Sequence, residues 1–321
     1  MRAYRMTGWG NPPEQCEVAE PTPGPGQMLI RVAGCGLCRS DLTMRQIPRV
    51  AGERLGWRMP FTLGHETAGW LTDGTPVALV SPTSCGVCRL CVRGRDNACP
   101  DGRAGRGYGR DGGLAEYVVA DRRSVVPLGE LDPRYAGPLT DAGATAYHAV
   151  RRARGHLAPG STAVVVGAGG LGAFAVQFLR ILTAARVVAV DVSAERRAYA
   201  ASVGAHEATS ALGEKADAVL DFVGTDETIA AGVAAVRPGG AFGLIGSAGG
   251  RLERPWFGTL PADGEVFTFQ GSSIADAQEV IALAAAGLIR NQVQEFPFEK
   301  AGEAYEQLAA GTLTGRAVVL L

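Results

Sequence analysis

Four of the seven cysteines lie within a single stretch of fifteen residues. Their spacing is Cys85-x2-Cys88-x2-Cys91-x7-Cys99. Zinc prefers four soft ligands in tetrahedral directions, and short C-x-x-C turns supply them with little loss of chain entropy. The long gap before the fourth cysteine disagrees with the bacterial ferredoxin spacing for an iron–sulfur cluster. We therefore predict a closed, structural zinc site in the lobe 82–102, with free thiols and disulfides as the alternatives.

The composition and charge exclude several classes of function. The chain has 321 residues, enough for two domains, and 46% of them are hydrophobic, as in ordinary globular proteins. A formal net charge of −1 gives no electrostatic basis for binding nucleic acid or an anionic membrane. No charged segment leads into an apolar one as in a secretory signal, and the apolar run 160–179 is interrupted by glycines. We expect a cytoplasmic protein, in which clustered cysteines favour metal over disulfides.

The secondary-structure pattern changes near residue 140, from β-rich segments with glycine and proline turns to alternating strands and helices. Helices are predicted at 142–154, 171–183, 194–203, 276–286 and 299–309, and strands at 28–32, 75–80, 115–119, 163–166, 187–190, 218–222, 241–245, 266–269 and 317–320. The alternation in the middle of the chain indicates right-handed βαβ units and a parallel sheet. This part is inserted between a β-rich segment and a tail that returns to helices.

The predicted strand that ends at Val166 runs into a glycine motif of the form G-x-G-x-x-G. The residues of the motif that would contact a dinucleotide are Gly167, Gly169, Gly170, Leu171 and Gly172. These glycines allow a tight turn and a close approach to a pyrophosphate at the positive end of a helix. Asp191, about twenty residues further on, is placed to accept hydrogen bonds from the adenosine ribose, with capping of the helix near Ser193 as the alternative. A carboxylate there favours NAD over NADP, whereas the positive charges of the nearby Arg196 and Arg197 act in the opposite direction.

A second set of residues suited to metal binding lies outside the lobe 82–102. It comprises Cys38, His65 with Glu66, and Asp141. Each ligand candidate has a plain structural alternative: a buried, hydrophobe-like cysteine, a core histidine with satisfied hydrogen bonds, and an aspartate that caps the next helix. From the residues alone, both interpretations stay open.

Five motifs occur in a fixed order along the chain. They are 34–41 (GCGLCRSD), 64–66 (GHE), the four-cysteine lobe, 139–143 (LTDAG) and the glycine loop 167–172. Together they resemble the zinc-containing medium-chain alcohol dehydrogenases, most closely the bacterial secondary-alcohol enzymes, over the whole chain. The resemblance implies an α/β protein with a β-rich GroES-like catalytic domain, residues 1–142 and 272–321. It also implies a Rossmann domain, residues 143–271, whose doubly wound parallel sheet binds NAD.

The resemblance assigns the second set of residues to a catalytic zinc. Cys38, His65 and Asp141 match its ligands, and Glu66 matches a residue beside the metal that acts as an indirect or transient ligand. Cys35 matches a position that is not a ligand. Three protein ligands leave the fourth position of zinc open to substrate, and one thiolate with one carboxylate offsets the charge of the ion. The expected content is therefore two zinc ions per chain.

The resemblance also implies roles in proton transfer, cofactor binding and the substrate pocket. Ser40 matches the residue that takes the proton of the alcohol, and Asp41 matches the one that orients His65. The implied cofactor contacts are Arg39 and Arg316 at the pyrophosphate, Thr145 at the nicotinamide and Arg196 at the adenosine ribose. Trp57 resembles an aromatic residue that lines the substrate pocket, with packing in the core as its alternative.

The implied activity is the reversible NAD-linked oxidation of a secondary alcohol to a ketone by hydride transfer, in a homodimer or homotetramer. The alternatives are a biosynthetic reductase acting on an imine or an activated C=C bond, and a non-catalytic relative. Ser40 favours alcohol chemistry because a proton relay serves an alkoxide, and the intact zinc ligands and glycine loop argue against a non-catalytic protein. Two features depart from the family: Thr43 stands where some relatives carry a relay histidine, and the segment 69–77 is shortened.

Overall fold

The computed structural model describes residues 1–255 and 257–321. The chain divides into two units, Met1–Ala144 with Gly271–Leu321, and Thr145–Gln270. The domain boundaries predicted from the sequence, 142/143 and 271/272, lie within two residues of these divisions. The residues of both predicted zinc sites belong to the first unit, and the glycine loop belongs to the second.

Among the described residues, the strands are β1 (Arg2–Met6), β2 (Glu14–Glu17), β3 (Gln27–Gly36), β4 (Phe61–Thr62), β5 (Glu66–Leu71), β6 (Pro76–Leu79), β7 (Gly105–Arg106), β8 (Gly109–Arg110), β9 (Tyr117–Asp121), β10 (Val125–Pro127), β11 (Thr162–Val166), β12 (Arg186–Val190), β13 (Glu207–Thr209), β14 (Ala216–Asp221), β15 (Val236–Leu244), β16 (Glu265–Thr268), β17 (Val293–Pro297) and β18 (Arg316–Leu320). The α-helices are α1 (Arg39–Met44), α2 (Arg49–Arg54), α3 (Arg89–Val92), α4 (Pro133–Ala136), α5 (Ala142–Ala153), α6 (Gly170–Leu182), α7 (Ala194–Ser202), α8 (Asp226–Ala235), α9 (Ile274–Ala285) and α10 (Ala301–Ala310). Short 3₁₀ helices lie at Asp96–Ala98, Pro100–Arg103, Arg122–Ser124, Gly137–Thr140, Arg154–His156 and Phe298–Lys300.

The second unit is built on one parallel sheet. Its strand order is β13-β12-β11-β14-β15-β16. Numbered by appearance within the unit, this order reads 3-2-1-4-5-6, which is the doubly wound Rossmann arrangement. The strands β11 and β12, with sequences TAVVV and RVVAV, are almost entirely buried, as expected for strands covered by helices on both faces. The predicted α/β class with a parallel, doubly wound sheet is confirmed.

The apolar run 160–179 is divided between β11, the glycine loop and α6. Its side chains build the core of the second unit, where Val164 and Val166 pack with Val188, Val219 and Phe242. Over residues 1–255 and 257–321, none of the helices combines the length and the apolar character that a membrane crossing requires.

The first unit is β-rich and centred on the long strand β3. This strand pairs antiparallel with β5, β9 and β18 in a seven-stranded sheet. The register places Gly36, the last residue of β3, opposite both Glu66 of β5 and Val318 of β18. Because antiparallel partners run in opposite directions, the end of β3 lies beside the beginning of β5. Cys38, which follows β3, and His65, which precedes β5, therefore emerge at the same edge of the sheet.

A tight connection joins β5 to β6 in the segment that the sequence marks as shortened. The backbone N–H of Leu71 donates to the carbonyl of Thr75, and the N–H of Gly74 donates to the carbonyl of Leu71, each at 2.9 Å. Only residues 72–75 separate the two strands. The result is a compact hairpin immediately before the four-cysteine lobe.

Candidate active site

Three residues that are far apart in the sequence meet at the carboxyl end of β3. Cys38 is the N-cap of α1, His65 directly precedes β5, and Asp141 stands between the 3₁₀ helix Gly137–Thr140 and α5. One ligand atom from each of them, a sulfur, a ring nitrogen and a carboxylate oxygen, lies within 4.8 Å of the other two. Zinc binds such atoms at about 2.0–2.3 Å, so a single ion fits between them. Asp141 therefore does more than precede a helix, because its Oδ2 lies 3.5 Å from Nε2 of His65.

The buried carboxylate of Asp41, which accepts a hydrogen bond from Tyr305, positions the imidazole of His65. Nδ1 of His65 lies 3.1 Å from Oδ1 of Asp41, which is fully buried. Oδ2 of Asp41 accepts a hydrogen bond from the backbone N–H of Cys38 and another from the hydroxyl of Tyr305, both at 3.1 Å. The arrangement orients the ring so that Nε2 faces the ligand cluster, as metal-binding histidines generally require. Tyr305 was not predicted from the sequence.

The electrostatics of this cluster suit a cation. Burial alone would lower the pKa of His65, but the carboxylates of Asp41 and Asp141 hold it well above its usual value. In turn, burial would raise the pKa of Asp141, whereas its hydrogen bond to His65 and the charge of that ring lower it to about 2. The anionic surroundings thus retain a proton on the ring when no metal is bound. A divalent ion supplies positive charge at the same place and requires the neutral ring.

Glu66 and Arg316 form a buried ion pair next to the ligand cluster. Nη2 of Arg316 contacts Oε1 of Glu66, and the two residues are 6% and 0% exposed. Burial raises the pKa of Glu66 to about 7, and the charge of Arg316 opposes this shift. The other oxygen, Oε2, is buried and has no hydrogen-bond partner among the described residues. A carboxylate oxygen left free beside the ligands fits the predicted indirect or transient contact with the metal.

Glycine is required where the backbone passes this carboxylate. A Cβ atom on Gly36 would overlap Oε2 of Glu66, and one on Gly137 would overlap the Glu66 carbonyl oxygen. At Gly36 and Gly137 the backbone therefore approaches Glu66 more closely than a residue with a side chain would permit. Gly36 of the 34–41 motif thus has a packing role at the site.

Ser40 lies at the edge of the same cluster. Its Oγ is 3.5 Å from Nε2 of His65, which places a hydroxyl beside the ligand atoms. Arg39 and Thr43, on the same short helix α1, are exposed.

Aromatic residues lie next to the ligand cluster. The ring of Tyr108 packs edge-on against that of His65, with centroids 6.0 Å apart. The rings of Trp57 and Tyr108 have centroids 6.5 Å apart, and Nε1 of Trp57 donates to the carbonyl of Arg103. Trp57 is 6% exposed and belongs to the hydrophobic core with Phe61. Tyr108 is thus the aromatic side chain next to the ligands, and no sequence pattern singled it out.

The four cysteines of the lobe converge as predicted from their spacing, with one sulfur from each within 4.8 Å of the others. The Sγ atoms of Cys88 and Cys91 are 3.5 Å apart, those of Cys88 and Cys99 are 3.9 Å apart, and those of Cys85 and Cys91 are 4.0 Å apart. A tetrahedral site with Zn–S bonds near 2.3 Å requires sulfur separations of about 3.8 Å. These distances fit one zinc ion and are far too long for a disulfide.

Local hydrogen bonds reach these sulfurs and lower the pKa of one of them. Backbone N–H groups of Cys88 and Cys85 donate to the sulfurs of Cys85 and Cys99, each at 3.3 Å. Burial would raise the pKa of the Cys91 thiol, but hydrogen bonds from the Gly86 backbone, from neighbouring thiols and from Arg123 lower it to about 7. Arg123 also forms an ion pair with Asp96 at 2.9 Å, which ties the lobe together.

In the second unit, the glycine loop and Asp191 are linked directly. Gly167 has a φ of +84°, and a Cβ on Gly172 would overlap the Gly167 carbonyl oxygen. Oδ2 of Asp191 accepts a hydrogen bond from the N–H of Ala168, and Oδ1 accepts one from the N–H of Ser193, both at 2.9 Å. The N-cap of α7 is Ser193, so Asp191 braces the loop rather than capping that helix itself. Arg197 donates to the backbone carbonyl of Asp191 at 2.8 Å.

The remaining predicted cofactor contacts lie in both units. Gly169 is the N-cap of α6, and Gly170 and Leu171 form its first turn. Thr145 is buried in α5, Arg196 follows the start of α7, and Arg316 is held by Glu66. These positions belong to separately described units, and their contacts with a cofactor stay predictions.

Comparison with known proteins gives consistent matches. Residues 24–130 match the alcohol dehydrogenase GroES-like domain family, and residues 170–286 match the zinc-binding dehydrogenase family. An NAD-dependent alcohol dehydrogenase of Sulfurisphaera tokodaii is 31% identical over 100% of both chains. A D-arabinose 1-dehydrogenase (NADP(+)) of Saccharolobus solfataricus is 29% identical over 94% of this chain and 93% of its own.

Solved structures show the same likeness. An alcohol dehydrogenase from Aeropyrum pernix superposes with a TM-score of 0.92 at 29% identity and covers 100% of both chains. An acetophenone reductase from Geotrichum candidum, in complex with NAD, superposes with a TM-score of 0.89 at 26% identity over 100% of this chain and 97% of its own.

Proposed function

The chain belongs to the zinc-containing alcohol dehydrogenase family, and we propose that it oxidises secondary alcohols to ketones reversibly at the site formed by Cys38, His65 and Asp141. Oxidoreduction of alcohols with zinc and NAD is the activity of this family. The observation that carries the assignment is the convergence of the three ligand types within 4.8 Å. Three protein ligands leave zinc one open position, as catalytic zinc sites do.

The residues around the cluster have separate roles in the proposed reaction. When bound, zinc lowers the pKa of an alcohol hydroxyl, and the nicotinamide ring accepts the hydride. The Cys38 thiolate and the Asp141 carboxylate balance the charge of the ion. Asp41 fixes the ring of His65 and selects Nε2 as its ligand atom. Glu66 stays paired with Arg316 and keeps one buried oxygen without a hydrogen-bond partner.

Ser40 is the residue proposed to take the proton from the substrate hydroxyl. Its Oγ lies beside the ligand atoms, 3.5 Å from Nε2 of His65, and the residue is only half-buried. Thr43, one turn further along α1, is exposed and cannot act as a base as a histidine would. We propose that the proton leaves by a short route from the Ser40 hydroxyl to solvent.

The substrate preference is tested with a panel of alcohols and carbonyl compounds, following the absorbance of reduced nicotinamide. We expect 2-butanone and acetophenone to be reduced with higher kcat/KM than a long primary aldehyde. Turnover of imines or activated C=C bonds without turnover of ketones would contradict the proposal.

The site itself is tested with two neighbouring cysteines, of which only Cys38 belongs to the ligand cluster. Cys38→Ser removes a ligand and should abolish turnover and leave one zinc per chain. Cys35→Ser changes a fully buried thiol three residues away, outside the ligand cluster, and should retain both zinc ions and activity. Equal loss in both variants would show general damage rather than loss of a ligand.

Cofactor choice is assigned to Asp191. A carboxylate at this strand end repels a 2′-phosphate, so NAD should be preferred over NADP in kcat/KM. Asp191→Asn keeps an oxygen that can brace the loop and removes the charge, and it should lower the NAD/NADP preference by about tenfold or more. Asp191→Ala removes the brace as well and should weaken both cofactors. A wild-type enzyme that prefers NADP would overturn this assignment.

A further inference from the structure

A cavity of about 430 Å³ in the first unit lies apart from both ligand clusters. Its lining includes Arg5 of β1, Arg106 of β7 and Arg110 of β8, together with Asp111 and Asp121. None of the residues that form the two predicted zinc sites lines it. The volume is within the usual range for small-molecule sites in proteins.

Arg106 is the unusual member of this lining. It is 5% exposed, and its Nη2 donates to the backbone carbonyl of Val80 at 2.5 Å. No carboxylate of the described residues lies within ion-pair distance of its guanidinium. Burial lowers the pKa of Arg106, and the charge of Asp121 only partly opposes this shift. A buried charge without a counter-ion is strongly unfavourable, and buried arginines are normally paired.

The carboxylates of the cavity are occupied elsewhere. Asp111 forms an ion pair with Nη2 of Arg5 at 2.9 Å, and the same oxygen accepts the backbone N–H of Thr62 at 2.8 Å. Asp121 accepts a hydrogen bond from the side-chain amide of Gln27 at 3.3 Å. The charge of Asp121 acts on Arg106 from a distance, but neither acid forms an ion pair with its guanidinium.

Further unused donors face the same region. Nε of Arg5 is buried and has no hydrogen-bond partner among the described residues. A guanidinium carries five N–H donors, and the contact with Val80 uses one nitrogen of Arg106. Arg110 adds an exposed guanidinium at the rim. The cavity lining thus combines three guanidinium groups with two carboxylates, and it includes one arginine with a buried donor that lacks a partner.

We propose that this cavity binds a small phosphate-bearing metabolite, with Arg106 and Arg110 as its guanidinium ligands. The planar fork of a guanidinium matches the oxygens of a phosphate and forms charge-assisted hydrogen bonds with it. A bound phosphate supplies the counter-charge that Arg106 lacks. The cavity is larger than a phosphate ion, so it has room for the organic part of a phosphomonoester.

The test uses the zinc-loaded protein with saturating NAD, so that phosphate cannot occupy the dinucleotide site. Calorimetric titration with inorganic phosphate, against potassium chloride of equal ionic strength, measures the dissociation constant directly. Arg106→Met should raise this constant by at least ~10-fold, the effect of losing one charge-assisted hydrogen bond. Arg58→Met, which removes an exposed arginine outside the cavity, should leave it unchanged.

The same variants give a second readout in thermal unfolding. In chloride, Arg106→Met should be at least as stable as the wild type, because an apolar side chain replaces an unpaired buried charge. In phosphate, the wild type and Arg58→Met should gain stability, and Arg106→Met should not. If Arg106→Met lowers stability equally in both salts and phosphate still binds, the guanidinium is structural and the proposal is wrong.

Two further measurements keep the proposal testable if Arg106→Met fails to fold. Arg110→Gln changes an exposed residue and should weaken phosphate binding several-fold without altering stability in chloride. Glycerol 3-phosphate should bind more tightly than inorganic phosphate. Unchanged binding by Arg110→Gln, no gain with glycerol 3-phosphate, or no phosphate binding by the wild type would each overturn the proposal.

Discussion

The two proposed zinc sites, both in the first unit, are built in opposite ways. The lobe draws four identical ligands from fifteen consecutive residues, and backbone N–H groups of the same loop donate to their sulfurs, with Arg123 contacting the lobe from outside. The catalytic site draws three different ligands from three separate segments, and buried charged residues surround it. The ligands of the first arrangement are local in the sequence, whereas the second arrangement depends on contacts between distant segments. We therefore expect the lobe to contribute mainly to the stability of the fold and the dispersed site mainly to catalysis.

The largest effect expected is on turnover when a ligand of the dispersed site is removed. Asp141→Ala should reduce kcat by at least ~10³-fold, equivalent to about 4 kcal/mol in the activation barrier, because the metal loses a ligand. Steady-state kinetics and zinc content measure this effect. The matched control is Asp132→Ala, since Asp132 is an N-cap whose side chain accepts the N–H of Arg134 at 2.9 Å.

The control should lose about 1 kcal/mol in stability and keep its activity. If Asp141→Ala shows the same modest loss of stability and near-normal kcat, Asp141 is only a helix-associated residue. In that case the catalytic role assigned to the dispersed site would be wrong.

The next effect concerns the lobe and its stability. Cys99→Ser should lower the zinc content from two to one per chain and reduce the free energy of unfolding by about 3 kcal/mol, because metal binding is part of the folding energy. Chemical denaturation and elemental analysis measure both quantities. Cys16→Ser changes a cysteine outside both clusters and should have neither effect. A Cys99→Ser protein that keeps two zinc ions and full stability would show that the lobe is not a structural site.

The smallest effect comes from the support behind the dispersed site. Tyr305→Phe removes the hydroxyl that donates to Asp41 and should weaken binding of the catalytic zinc by about tenfold, as loss of an outer hydrogen bond usually does. Competition with a chelator measures this affinity separately from stability. Tyr4→Phe deletes the same group from the ring stacked on Tyr305 at 5.9 Å and should leave zinc affinity unchanged. If both variants lose stability and neither loses zinc affinity, Tyr305 acts only in packing.

The same contrast explains what could be predicted from the sequence. The four-cysteine cluster and the glycine loop were visible because their partners lie close together along the chain. Five strands of the second unit were visible because apolar runs alternate with helical segments, whereas the short, more polar β13 was not predicted. Helix α8 was not predicted, because its alanine-rich sequence carries a weak amphipathic pattern.

The contacts that the sequence did not reveal join positions far apart in the chain. Tyr305 meets Asp41 across 264 positions, and Arg316 meets Glu66 across 250. Tyr108 lies next to His65 only because separate segments of the first unit pack together. Trp57 had two interpretations before the structure, and its burial in the core with a bonded indole N–H favours packing. No local pattern of residue types encodes such pairings.

The position of β18 has a consequence for biosynthesis. This strand completes the sheet beside β3 and supplies Arg316, yet it follows the whole of the other unit in sequence. Ribosomes add about 5–20 residues per second, so on the order of ten seconds or more separates the synthesis of Glu66 from that of its partner. During this interval the nascent chain exposes Cys38, His65 and Asp141 without the buried charge pair that completes their surroundings. The lobe cysteines emerge together within seconds, so the newborn chain can capture its first zinc ion there before the catalytic site exists.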